Sequence, residues 1–207
     1  MDFADSPPAT TASTERPVNT CIALFRGINV GGKNALPMKQ LVAILEALGA
    51  RSIQTYIQSG NAVFRSKDSD CTRLATPLTS AIKQGLGFES QALVFGRETL
   101  AKAISDNPYP DVEAGAGSVH FGFLFAPPPS LDLRKLDSLR SPTERFHLAE
   151  RVFYLHAPDG VGRSKLAASA ERLLGVPMTD RNGRTVAKIM AMAMGTAMGQ
   201  DTRAAQG

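Results

Sequence analysis

The chain has 207 residues, 43% of them hydrophobic and 20% charged, and a formal net charge of +4. That length and composition suit a globular protein with a sizeable core, in one domain or two small ones. No apolar run approaches the roughly 18 residues of a membrane span, and the first twenty residues lack the basic start and apolar stretch of a secretory signal, so a cytoplasmic protein is expected.

Residues 1–20, "MDFADSPPATTASTERPVNT", are rich in Ser, Thr, Pro and Ala and read as a disordered arm. "CIALFR", from Cys21, is an apolar run with the β-formers of a central strand. "PMKQLVAILEALGA" follows, with Met38, Leu41, Leu45 and Leu48 on one helical face, Pro37 suited to the first turn and Gly49 to a left-handed close. "SIQTYIQSGNAVFRS" gives two strand-like runs around Ser59-Gly60-Asn61 and reads as a hairpin. A helix over about Leu74–Gly85, its start marked by Pro77, and a strand at "SQALVFG" complete β-α-β-β-α-β. Right-handed crossovers close that order into a four-stranded antiparallel sheet with both helices on one face, a ferredoxin-like domain over residues 21–96 of an α+β protein.

A second, smaller α+β unit is expected over 97–198. Its helix "RETLAKAISDN" stops at Pro108; a strand at "SVHFGFLFA", a short helix at "LDLRKLDSL" and strands at "ERFHL" and "RVFYLHA" follow. Two helices, about Arg163–Leu174 and Arg184–Ala197, end the fold, and residues 199–207 form a tail. The order β-α-β-β-α partly repeats that of the first half. In the last helix Met190, Met192, Met194 and Met198 read as core filler, with a partner groove as the alternative.

Charge is uneven: residues 134–188 carry a net +5 while 21–133 carry +1, which favours anionic partners or a solvated basic face. The two cysteines, Cys21 and Cys71, have no paired spacing and read as the reduced, small apolar residues of a cytoplasmic protein. With three scattered histidines and no C-x-x-C, no metal cage is indicated, and no cofactor is named by any motif.

The candidate site lies where two loops share an edge. In this topology the first two strands run parallel, so the end of the first and the hairpin after the second lie together. "RGINVGGKN" supplies Arg26, Asn29, Gly31, Gly32, Lys33 and Asn34; "QSGN" supplies Ser59 and Asn61. Glycines admit close backbone approach, and the following helix points its N-terminus at the edge, so the set has the makings of an anion site. The competing reading is a tight connection whose asparagines bond their own backbone. "HAPDGVGRSKL" repeats the strand, glycine loop and helix pattern: Arg163 and Lys165 sit at a helix start, where cations oppose the dipole unless an anion is near. His156 and Asp159 flank that loop as acid–base candidates. "TDRNGRTVAK" adds Arg181 and Asn182, with Thr179 or Asp180 as a cap.

In order and spacing, "ALFRGINVGGKNALPM", "TYIQSGNAVF", "GVGRSKL" and "RNGRTVAKI" resemble a bacterial family filed as domain of unknown function 1697, from about Ile22 to Ala193. The resemblance implies a two-part α+β fold with a ferredoxin-like first half and implies no activity. Gly183 stands where that family usually has tryptophan, so any stacking role of the tryptophan is absent here.

Three readings of function follow. The first is binding of a small anionic ligand, a nucleotide or phosphorylated metabolite, at the glycine-rich edge. The second is sequence-blind nucleic-acid binding by the sheet, with Tyr56 and Phe64 as ring candidates, or by the basic last third. The third is a protein-interaction module without catalysis.

Overall fold

The computed structural model describes residues 18–110, 117–129 and 132–198. The tail 199–207 and residues 1–17 of the arm lie outside the described residues; Asn19 and Thr20, assigned to that arm, instead open the first strand.

The first half runs β1 (Asn19–Phe25), α1 (Met38–Ala47), β2 (Arg51–Tyr56), β3 (Asn61–Ser66), α2 (Ala75–Leu86), β4 (Ala92–Gly96) and α3 (Arg97–Ser105). The second runs β5 (Val119–Leu124), α4 (Leu133–Leu139), β6 (Arg145–Ala149), β7 (Val152–His156), α5 (Lys165–Leu174), β8 (Met178–Asn182) and α6 (Gly183–Met198). Each half pairs its four strands antiparallel, in the orders β2-β3-β1-β4 and β6-β7-β5-β8. The two orders are the same order: the element succession β-α-β-β-α-β-α occurs twice.

Local chemistry explains most boundaries. After α1, the Gly49 N–H bonds Glu46 O and the Ala50 N–H bonds Leu45 O, a left-handed close with Gly49 at φ 83°. Pro77 is the third residue of α2 rather than its first; its missing N–H is one that a first helical turn leaves unpaired anyway. A short 3-10 turn, Cys71–Leu74, precedes α2.

One expectation is corrected outright. Cys21 on β1 and Cys71 at the 3-10 turn form a disulfide across 50 positions, and both are buried. Closing a loop of that length constrains the unfolded chain by about 4 kcal/mol in the entropic account. The reduced-thiol argument for a cytoplasmic location is thereby removed.

Three cores stack through the molecule. Cys21, Ala23, Phe25 and Phe64 pack one face of the first sheet on Leu41 and Leu45 of α1 and Leu78 and Ile82 of α2. The other face presents Ile22, Leu24, Val63 and Phe95 to a middle core shared with Leu100 of α3, Ile189 of α6 and Phe121, Phe123 and Tyr154 of the second sheet. Phe95 stacks on Phe123 at 5.7 Å, and the Tyr154 hydroxyl donates to Ala103 O at 2.8 Å. Leu124, Phe153 and Leu155 form the third core with Leu136 of α4 and Leu166, Ala170 and Leu174 of α5. Both faces of the first sheet are therefore covered. Phe64 is wholly buried, so it cannot stack a base. Met190 and Met192 pack against the middle core as expected of core filler, while Met194 is exposed.

Candidate functional site

The two loops of the first half do share an edge. Phe25 N–H donates to Gly60 O at 2.9 Å, tying the end of β1 to the β2–β3 turn, and Asn29 Nδ2 donates to Gln58 O at 2.7 Å. Gly60 is required here: its φ is +76°, and an added Cβ would lie 2.5 Å from Ile28 Cδ1. Within the loop the asparagines are occupied. Asn29 also donates to Leu36 O and accepts from Leu36 N–H, and Asn34 donates to Gly27 O. Asn61 is wholly buried and donates to Tyr56 O and Ser59 Oγ. Gly31, Gly32 and Lys33 project outward, and the Lys33 ammonium has no partner among the described residues.

The arginines of this edge turn inward, toward the second half. Arg26 pairs with Glu171 of α5 and donates from Nε to Met178 O at 3.2 Å. Arg181, 8% exposed, reaches from β8 into the first half. Its Nε donates to Asn61 Oδ1, and its Nη2 to Phe25 O at 2.8 Å and to Ser59 O and Gly60 O at 3.2 Å. Its Nη1 bonds Thr179 Oγ1 and Asp180 O, and the Thr179 hydroxyl itself donates to Phe25 O. Burial lowers the Arg181 pKa to about 10, against the pull of Asp180, which leaves it charged at neutral pH. These residues lock the two sheets together.

The strand that carries Arg181 was missed in the sequence. Met178–Asn182 is β8, which makes the second half a full repeat instead of one closing on two helices. Its buried face is Thr179 and Arg181, so it lacks the apolar alternation of an ordinary strand. Asn182 caps the next helix, with Oδ1 accepting from Thr185 N–H at 2.9 Å, a role expected of Thr179 or Asp180. Gly183 is buried at the first position of α6.

Arg163 and Lys165 are differently placed. The helix α5 starts at Lys165, and Ser164 caps it, its Oγ accepting from Ala167 N–H at 2.9 Å. Both cations line a cleft of about 430 Å³ whose opposite wall is the end of α4 and the turn after it, including Ser138, Arg140 and Ser141. Neither side chain has a partner among the described residues. Glu144 and Asp159 also line the cleft, but each is engaged: Glu144 Oε2 accepts from Ser141 N–H and Asp159 Oδ2 from the Thr143 hydroxyl. His156 faces Arg145 instead of Asp159, so the acid–base pair does not assemble. Arg140, not singled out in the sequence, has its Nε on Asp137 and its Nη1 on Glu144 O. Nothing in "SLRSPT" marks it, because its acceptors are a helical carboxylate and a turn carbonyl.

A family model described as "Protein of unknown function (DUF1697)" matches residues 18–154. The chain belongs to that family. The match contains the glycine-rich loop and the β2–β3 turn, whereas Arg163, Lys165, Arg181 and Asn182 lie beyond it. A solved structure, that of conserved bacterial protein SP0830 from Streptococcus pneumoniae, is similar to this DUF1697 chain at TM-score 0.62 and 26% identity, covering 86% of this chain and 99% of that one. No curated protein matches.

Proposed function

We propose that this DUF1697 protein binds a small anionic, phosphorylated ligand, with the charge held by Arg163 and Lys165. The observation that carries the reading is two unpartnered cations at the start of α5, lining one cleft. Cations there oppose the helix dipole, and an anion between them removes that cost. Arg26 and Arg181, by contrast, already have their acceptors within the chain. A second reading keeps the anion at the glycine-rich edge, supported by the outward Lys33 and by Gly31 and Gly32 at φ 59° and 73°. Sequence-blind nucleic-acid binding and a protein-interaction role are the alternatives from other classes.

A thermal-shift screen against inorganic phosphate, sugar phosphates and nucleotides tests this, because a ligand that binds only the folded state raises the Tm. Wild type, Arg163→Ala/Lys165→Ala and Lys33→Ala are compared. The expected result is a shift that survives Lys33→Ala and disappears in the double variant. A shift lost only in Lys33→Ala moves the site to the loop edge; no shift with any phosphorylated compound overturns the reading.

A further inference from the structure

We infer that the phosphorylated ligand is a nucleoside phosphate; the inference rests on the anion reading above and goes beyond it in naming what carries the anion. The cleft of Arg163 and Lys165 shares one wall, the Arg140 side chain, with a second cleft of about 660 Å³. The second cleft is of a different character. It runs along the edge strand β6 beneath α4, and Leu133, Phe146, Leu148 and Tyr109 supply its apolar lining beside Asp137, Arg145 and His147. Leu133 is 47% exposed, one of few large apolar side chains left in water among the described residues. A phosphorylated compound with no apolar part would leave that surface unused. One with a planar ring beside its phosphate fills both clefts.

Arg140 suits the junction. Asp137 Oδ1, at 2.8 Å, and Glu144 O, at 2.9 Å, fix its planar guanidinium, while Nη2 makes no bond to a described residue. A fixed, planar cation can donate to a phosphate on one side and lie against a ring on the other, with little further ordering. Arg145 is not available for this role: its guanidinium lies 4.9 Å from the Tyr109 ring centroid and faces His156.

Calorimetric titration of the full chain tests the inference with the four nucleoside 5′-monophosphates, ribose 5-phosphate and a single-stranded adenylate hexamer. At least one monophosphate is expected to bind about tenfold or more tightly than ribose 5-phosphate, the size of a base-stacking contact. Leu133→Gln, at an exposed position, should weaken that nucleotide about fivefold and leave ribose 5-phosphate unchanged. Hexamer binding that exceeds six independent monophosphates assigns the nucleotide to a strand; otherwise the ligand is the free nucleotide. If ribose 5-phosphate equals every nucleotide and both depend on Arg163 and Lys165, the nucleoside is overturned and the anion site stands. If nucleotides bind regardless of Arg163→Ala/Lys165→Ala, the anion reading falls and this one falls with it.

Discussion

Two basic stretches of the second half, "GRSKL" and "DRNGR", read alike in sequence: each places an arginine just before a helix. The fold uses them in opposite ways. Arg181 is buried and meets three main-chain carbonyls and the Asn61 amide of the first half, so its charge holds the molecule together. Arg163 and Lys165 meet nothing among the described residues and face a cleft. A cation is a candidate for binding only where the chain withholds its acceptors, and whether it does so depends on residues far away in sequence. Asn61 is 120 positions from Arg181.

The sharpest way to break that contrast is to unfold variants of each side in urea. Arg181→Met is expected to cost about 3 kcal/mol or more, because Asn61 Oδ1 stays buried without its charged donor and the buried Phe25 O and Gly60 O each lose one. Arg181→Lys should recover only part of the loss, since an ammonium cannot fork among those acceptors. Arg163→Ala/Lys165→Ala should stay within about 0.5 kcal/mol of wild type. Equal costs on the two sides would mean that burial does not separate a clamp from a site here.

Arg26 and Glu171 lie between these extremes, since they are paired yet 40% and 38% exposed. A double-mutant cycle on Arg26→Ala and Glu171→Ala should give a coupling of about 0.5 kcal/mol. That coupling should shrink in 1 M salt, where charges are screened beyond about 3 Å, whereas the loss in Arg181→Met should hardly change. A coupling as large and as salt-resistant as the Arg181 effect would make Arg26 a second clamp.

The first half was readable because its information is local. Apolar periodicity placed α1, Pro77 marked α2, and glycine and asparagine marked the turns whose shared edge the Phe25–Gly60 and Asn29–Gln58 bonds show. The repeat in the second half was hidden by β8, whose inward side chains, Thr179 and Arg181, are polar and find their partners across the junction. The Cys21–Cys71 bond was hidden too, because a separation of 50 positions carries no spacing signal. Of the candidate residues, Arg163 and Lys165 were legible as cations at a helix start. That Arg26 and Arg181 were already paired could not be read, because their acceptors are a carboxylate on α5 and main-chain carbonyls that sequence does not distinguish.

The smallest expected effect extends the comparison to a titrating group. Arg145 has no carboxylate partner among the described residues, and its charge falls instead on His156, whose Nδ1 lies 3.3 Å from Arg145 Nη2 and whose ring is 6.0 Å from that of Tyr109. Burial first, and then the Arg145 charge, hold the His156 pKa below 6.5. The unfolded chain therefore takes up this proton before the folded one does as the pH falls. The stability linked to His156 is complete above 6.5 and is lost as the pH falls through the lower, folded value. Part of the decline in Tm between about pH 7 and pH 5 should accordingly vanish in His156→Gln. Arg145→Gln should reduce the same part less than fully, because burial, the larger cause, remains. An unchanged acid limb in His156→Gln would show that neither burial nor the Arg145 charge sets the proton affinity of this ring apart from that in the unfolded chain.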